Sequence, residues 1–183
     1  MAKVSVLVVP GLGGSGAEHW QSRFVRQNPG FRRVEQADWA HPERDAWIAA
    51  LEAAVRAAPG PVVLVAHSLA CTLVARWAQS GSAERVAAAM LVAPTDVERE
   101  QGMPPEVRVF APIPGDPLPF PTVVLASRDD PYCAIDRACG FAARWGADFI
   151  DVGDLGHINV ASGHGPWPEG ERLLKDLIAQ VEG

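Results

Sequence analysis

The sequence predicts an α/β fold on a mostly parallel sheet, and three observations carry that expectation. Short valine-rich runs alternate with longer stretches of helical period along the chain. The runs are apolar throughout, not at every second residue, which marks strands covered by helices on both faces. Glycine or proline punctuates most of the junctions between the two kinds of segment. With 183 residues, 48% of them apolar, the chain has material for one core and one domain over 1–183.

Taken in order, six strands are expected: Val4 to Val9, Arg33 to Gln36, Val62 to Ala66, Val86 to Ala93, Thr122 to Ser127 and Asp148 to Val152. Helical spacing marks Ala17 to Gln27, Glu43 to Ala58, Leu69 to Gln79, Ala134 to Trp145 and Glu169 to Val181, with Trp47, Ile48, Leu51 and Val55 forming the clearest stripe. Pro42 and Pro168 suit first helical turns, and Gly60, Gly81 and Gly146 follow helix ends. The irregular stretch from Thr95 to Pro121 holds seven prolines beginning at Pro104. It is read as a surface connector and a candidate lid, in preference to an extended partner ligand.

Charge and composition exclude several classes of function. The net charge is −6 with the arginines scattered among acids, so no basic stripe exists for nucleic acid or anionic lipid. Cys71, Cys133 and Cys139 form neither a paired framework nor a C-x-x-C motif, which fits a reducing cytoplasm. Pro10 and Gly11 stop the first apolar run too early for an export signal, and no stretch is long enough to cross a membrane. Histidine and cysteine spacings offer no metal site. The glycine-rich turn Pro10 to Gly16 matches neither G-x-G-x-x-G nor a G-K-[ST] phosphate loop, so no nucleotide cofactor is expected.

What remains is a pattern for nucleophilic catalysis. Val62 to Ala66 reads as a buried strand, His67-Ser68-Leu69 as a sharp turn and Ala70 onward as a helix. Such a turn lifts a serine hydroxyl above the sheet edge, beside free N–H groups at a helix start. Ala66 and Ala70 stand where glycine is usual; both are small enough for strand and helix to pass closely. A serine needs a base and an acid that orients the base. The next late strands supply Asp130, preferred to Asp129 because Pro131 fixes its backbone, and His157, which follows the last strand among glycines. His164 ranks behind His157; His67 is expected to point elsewhere, and His19 and His41 fall too early in the chain order. The glycine-rich turn then offers the Leu12 N–H to an oxyanion, with Leu69 supplying a second.

Several motifs together make the chain resemble the small YdeN-like serine hydrolases, a group that includes the retinoblastoma-binding hydrolase. They are Pro10 to Gly16 with His19-Trp20-Gln21, Val34 to Trp39 with Pro42 and Trp47, Ala66 to Ala70, Asp129-Asp130-Pro131, and Gly156 to Asn159 running to Trp167-Pro168-Glu169-Gly170. The resemblance implies an α/β-hydrolase-like three-layer sandwich without a large cap domain. It also implies a Ser68, Asp130 and His157 triad acting without a cofactor on small esters or amides. The retinoblastoma connection is not carried over, since Leu69 to Leu73 lacks the glutamate of L-x-C-x-E. Trp39 and Trp167 are candidate pocket walls. The alternative is a silent hydrolase-fold protein that binds a protein partner, using a surface such as Thr95 to Pro121.

Overall fold

The computed structural model describes residues 3–183. Six parallel strands form one sheet, β1 (Ser5–Val9), β2 (Phe31–Arg33), β3 (Val62–His67), β4 (Val86–Val92), β5 (Thr122–Ala126) and β6 (Asp148–Asp151), in the spatial order β2-β1-β3-β4-β5-β6. Five helices cover it: α1 (Trp20–Gln27), α2 (Arg44–Ala57), α3 (Leu69–Trp77), α4 (Ile135–Trp145) and α5 (Pro168–Glu182).

Because successive strand residues face opposite sides, the apolar runs divide into two cores. Leu7, Val9, Leu64, Ala66, Leu91 and Val124 pack under α2, α3 and α4. Val6, Val8, Val63, Val65, Met90 and Val92 pack with Trp20 and Phe24 of α1 and Leu174 of α5 on the other face. That makes three layers, as the valine runs require, with no cap domain among the described residues, as the resemblance implies.

The chain leaves β1 for the edge strand β2, then crosses back to β3 on the other side of β1. The loops that follow β1 and β3 therefore diverge at a switch in strand order, the place where open α/β sheets bind ligands.

Three boundaries differ from the sequence expectation. Strand β2 is Phe31–Arg33, paired with Val6 to Val8, and not Arg33 to Gln36. Val34 and Gln36 do point inward, which imitates a strand, but the ladder with β1 ends with the Val34 N–H on the Val8 carbonyl at 2.9 Å, and β1 stops at Val9 before Pro10. Helix α1 begins at Trp20 and not at Ala17, because His19 acts as its cap, its Nδ1 accepting the Gln21 N–H at 3.2 Å. The Thr95 to Pro121 segment is more than a surface connector: a short 3-10 turn at Pro105–Phe110 buries Val107 and Phe110, and Ile113 and Phe120 join the same core. The Arg76 side chain donates to the Phe110 and Pro112 carbonyls, and the Trp145 indole donates to the Pro114 carbonyl at 2.8 Å.

Candidate active site

Loops that follow five of the strands meet at the carboxyl edge of the sheet, and the innermost carries Ser68. This residue has φ 61° and ψ −126°, a left-handed conformation that costs a side-chain-bearing residue energy and is kept where function requires it. Its N–H is held by the Val92 carbonyl at 2.9 Å. Ala66 and Ala70 on either side are fully buried, so the close strand–helix crossing tolerates nothing larger. Gly11 shows the same crowding from the other loop: a Cβ there would lie 2.8 Å from the His67 carbonyl oxygen and 3.1 Å from the Leu69 nitrogen. Only glycine lets the turn that carries Leu12 lie over the start of α3.

His157, in the loop after β6, places Nε2 2.8 Å from Ser68 Oγ. Its Nδ1 lies 2.8 and 3.0 Å from the two oxygens of Asp130, after β5. An ionised carboxylate only accepts, so Nδ1 carries the proton and Nε2 is left bare to accept from Ser68. The two side chains are only 8% and 2% exposed, which keeps water from competing for these bonds. Asp130 also accepts the Tyr132 N–H at 2.8 Å. Asp129 plays a different part. It accepts from the Ser127 hydroxyl at 2.6 Å and the Gly156 N–H at 2.7 Å, bonds that lower its carboxyl below the usual range. It braces the loop that carries His157.

Buried ring nitrogens fix that loop further. His67 Nε2 donates to the His157 carbonyl and Trp20 Nε1 to the Ile158 carbonyl, each at 2.8 Å. Gln21 ties the ends of the two strands beside the switch point, donating to the Val9 and Val65 carbonyls. Among the described residues the non-glycine positions with positive φ are Ser15, Ser68, Ala93 and Ile158, and all four lie in the loops around this site.

Two further imidazoles pack beside His157. His67 packs on His157 with ring centroids 4.9 Å apart, and His19 on His67 at 4.8 Å. Burial, and then the charge that His157 can carry, lower His67 well below its ordinary value and bring His19 down to about 4. Both imidazoles are neutral near pH 7, so they add no charge beside His157.

Two cavities open on Ser68. One, of about 270 Å³, is lined by Gly13, Ser15, His19 and Asn159 among others. The second, of about 160 Å³, is walled by Met103, Pro104, Val107 and Tyr132. Leu12, Ser68, His157 and Asn159 border both. Neither lining contains an aspartate, glutamate, lysine or arginine.

A family model described as serine hydrolase matches residues 6–176. The chain belongs to the serine hydrolase family. This serine hydrolase is similar to a protein of Pectobacterium atrosepticum described as a YdeN-like hydrolase, at 33% identity and a TM-score of 0.87 over 98% of this chain and 92% of that one. The ydeN gene product of B. subtilis shares the fold at 18% identity and a TM-score of 0.76, covering 97% and 99% of the two chains. The type II thioesterase BorB of the borrelidin biosynthetic cluster shares it at 17% identity and a TM-score of 0.63, covering 98% and 92%. No curated protein matches by sequence. The chain is thus a small YdeN-like α/β hydrolase, and no helix among its described residues is long and apolar enough to cross a membrane.

The serine hydrolase departs from two expected pocket walls. Trp39 lines neither cavity; it packs on Trp47 at 5.6 Å, takes the Arg33 guanidinium over its ring, and fills the space that a side chain at Gly14 would need. Trp167 is buried against Trp20, ring centroids 5.0 Å apart, and lines neither cavity either. His164 stays in its own loop, 3.3 Å from the Ser162 hydroxyl. In their place stand residues that sequence reading set aside or passed over: His67 and His19, Tyr132 edge-on to His157 at 4.6 Å, and Thr95, whose hydroxyl lies 2.9 Å from Ser68 Oγ. A signal for Thr95 existed in its position just beyond a strand end at the ligand-binding edge.

Proposed function

We propose that this hydrolase cleaves small, uncharged esters or amides through an acyl-enzyme on Ser68. The observation that carries the reading is the continuous path from Asp130 through His157 to Ser68 Oγ, with 2.8 Å contacts at both ends. In this mechanism His157 Nε2 takes the Ser68 proton as Oγ attacks the carbonyl carbon. Asp130 remains ionised and stabilises the imidazolium. The Leu12 and Leu69 N–H groups receive the oxyanion at the start of α3, where unpaired donors and the helix dipole favour negative charge. His157 then gives the proton to the leaving group, and water removes the acyl group by the same steps reversed.

Support for an uncharged substrate comes from the cavity linings, which offer histidine, hydroxyl, amide and apolar groups but no ionic partner. A charged group brought there would lose its hydration without compensation. The site supplies its own nucleophile, base and acid from Ser68, His157 and Asp130. Ser68→Ala is expected to lower kcat on p-nitrophenyl acetate by about 10⁴- to 10⁶-fold in a steady-state assay. A variant that keeps most of the activity would contradict the assignment.

A further inference from the structure

The bond between Ser68 Oγ and Thr95 Oγ1, 2.9 Å long, has a direction that the neighbouring contacts settle. Asp130 fixes the His157 proton on Nδ1, so Nε2 must accept the one proton that Ser68 owns. Ser68 Oγ has none left to give. Thr95 is therefore the donor, and its O–H points at the oxygen that makes and breaks the bond to substrate.

Thr95 is also held in place. It is only 3% exposed. Ala93, two residues earlier, adopts φ 49°, strained for alanine, and turns the chain after β4 toward the site. On the other side the Asp96 N–H donates to the Tyr132 carbonyl at 3.1 Å, the Val97 N–H to the Thr95 carbonyl at 3.0 Å, and the Asp96 carboxylate receives the Arg137 guanidinium at 3.0 Å. The hydroxyl is thus oriented before substrate arrives, as an effective donor to developing charge must be.

We propose that Thr95 is a further catalytic residue, a fixed donor to Ser68 Oγ whose main effect falls on the breakdown of the acyl-enzyme. This rests on the reading of Ser68 as nucleophile. Before acylation Oγ already accepts from Thr95, so the ground state and the transition state for attack both hold that bond and the rate gains little. In the acyl-enzyme Oγ is an ester oxygen, a weak acceptor. Water then adds to the acyl carbon and gives a proton to His157 Nε2. As the bond between that carbon and Oγ breaks, its electron pair stays on Oγ, which becomes a strong acceptor until His157 returns the proton. The Thr95 bond tightens only at that moment, and Thr95 keeps its own proton throughout. Interactions that strengthen in the transition state are those that raise rate.

Thr95→Val keeps the branched shape and removes the donor; Thr95→Ser keeps the donor. With a short p-nitrophenyl ester, Thr95→Val is expected to lower kcat by about tenfold to a hundredfold, the effect of one hydrogen bond to a charged group. KM should fall with it, leaving kcat/KM within about threefold of wild type. Rapid mixing should then show a burst of one equivalent of p-nitrophenol, and intact-protein mass spectrometry an acyl adduct that Ser68→Ala abolishes. Thr95→Ser should restore turnover, and Thr95→Ala should reproduce the valine pattern if valine disturbs folding. Unchanged kcat, a loss shared equally by kcat and kcat/KM without acyl accumulation, or a serine variant no better than valine would overturn the proposal. Wild-type turnover that does not depend on Ser68 would remove the nucleophile first, and the role of Thr95 with it.

Discussion

The three imidazoles packed in a row beside Ser68 show how one residue type takes different surroundings within one site. His157 faces a carboxylate, whereas His67 faces a backbone carbonyl and His19 a backbone N–H, in sites that exclude water. For His19 the folded-state value of about 4 lies below the ordinary 6.5. The unfolded chain therefore binds the proton first, and the stability that neutral His19 contributes is complete above pH 6.5 and falls away as pH drops toward 4. This one group removes about 2 kcal/mol of folding free energy between pH 7 and pH 5, and His67 acts in the same direction. His19→Asn keeps a side-chain acceptor for the start of α1 and cannot titrate. Urea unfolding at the two pH values should show it losing about 2 kcal/mol less than wild type; parallel losses would place the acid sensitivity elsewhere. That Ser68, Asp130 and His157 come together was legible because their neighbours, a strand–turn–helix, an Asp-Pro turn and a glycine-flanked loop, are local patterns. Thr95 was not singled out: its place just beyond a strand end was a signal, but nothing local to it names its partner, which lies 27 positions away in sequence.

At the scale of elements, the strands and helices followed from the valine runs and the helical stripes, while the errors came from segments whose partners are distant. β2 was misplaced because inward-facing Val34 and Gln36 alternate like a strand, while the ladder with β1 runs out after the Val34 N–H bond to the Val8 carbonyl. The Thr95 to Pro121 segment reads from its sequence as a surface connector with many prolines. Its order comes instead from α3 and α4, which supply Arg76 and Trp145 as donors to its carbonyls. Pro104 and Val107, at its 3-10 turn, form a wall of the smaller cavity. A volume near 160 Å³ resembles that of the engineered apolar cavity, about 150 Å³, that holds a benzene molecule. Esters whose apolar group exceeds about six carbons should therefore fit poorly on one side of the scissile carbonyl. Val107→Phe should tighten that limit, lowering kcat/KM for butyl- or hexyl-sized groups by about tenfold relative to methyl-sized ones, in either the acyl or the alcohol series. A loss that does not grow with group size in either series would mean that this wall does not meet substrate.

For the molecule as a whole, function follows from where the sheet reverses its strand order. The loops that follow the paired strands β1 and β3 part at that point and bring Leu12 over the start of α3, and β4, β5 and β6 deliver Thr95, Asp130 and His157 in sequence along the same edge. The scaffold alternative would leave these groups together without a reaction to perform. Intact-mass and peptide mass spectrometry after treatment with a fluorophosphonate separates the two directly. A single adduct on Ser68, formed by the folded wild type and slowed by about 10³-fold or more in His157→Ala, is the expected result. Folded protein that takes no label, or takes it at another residue, would contradict the account.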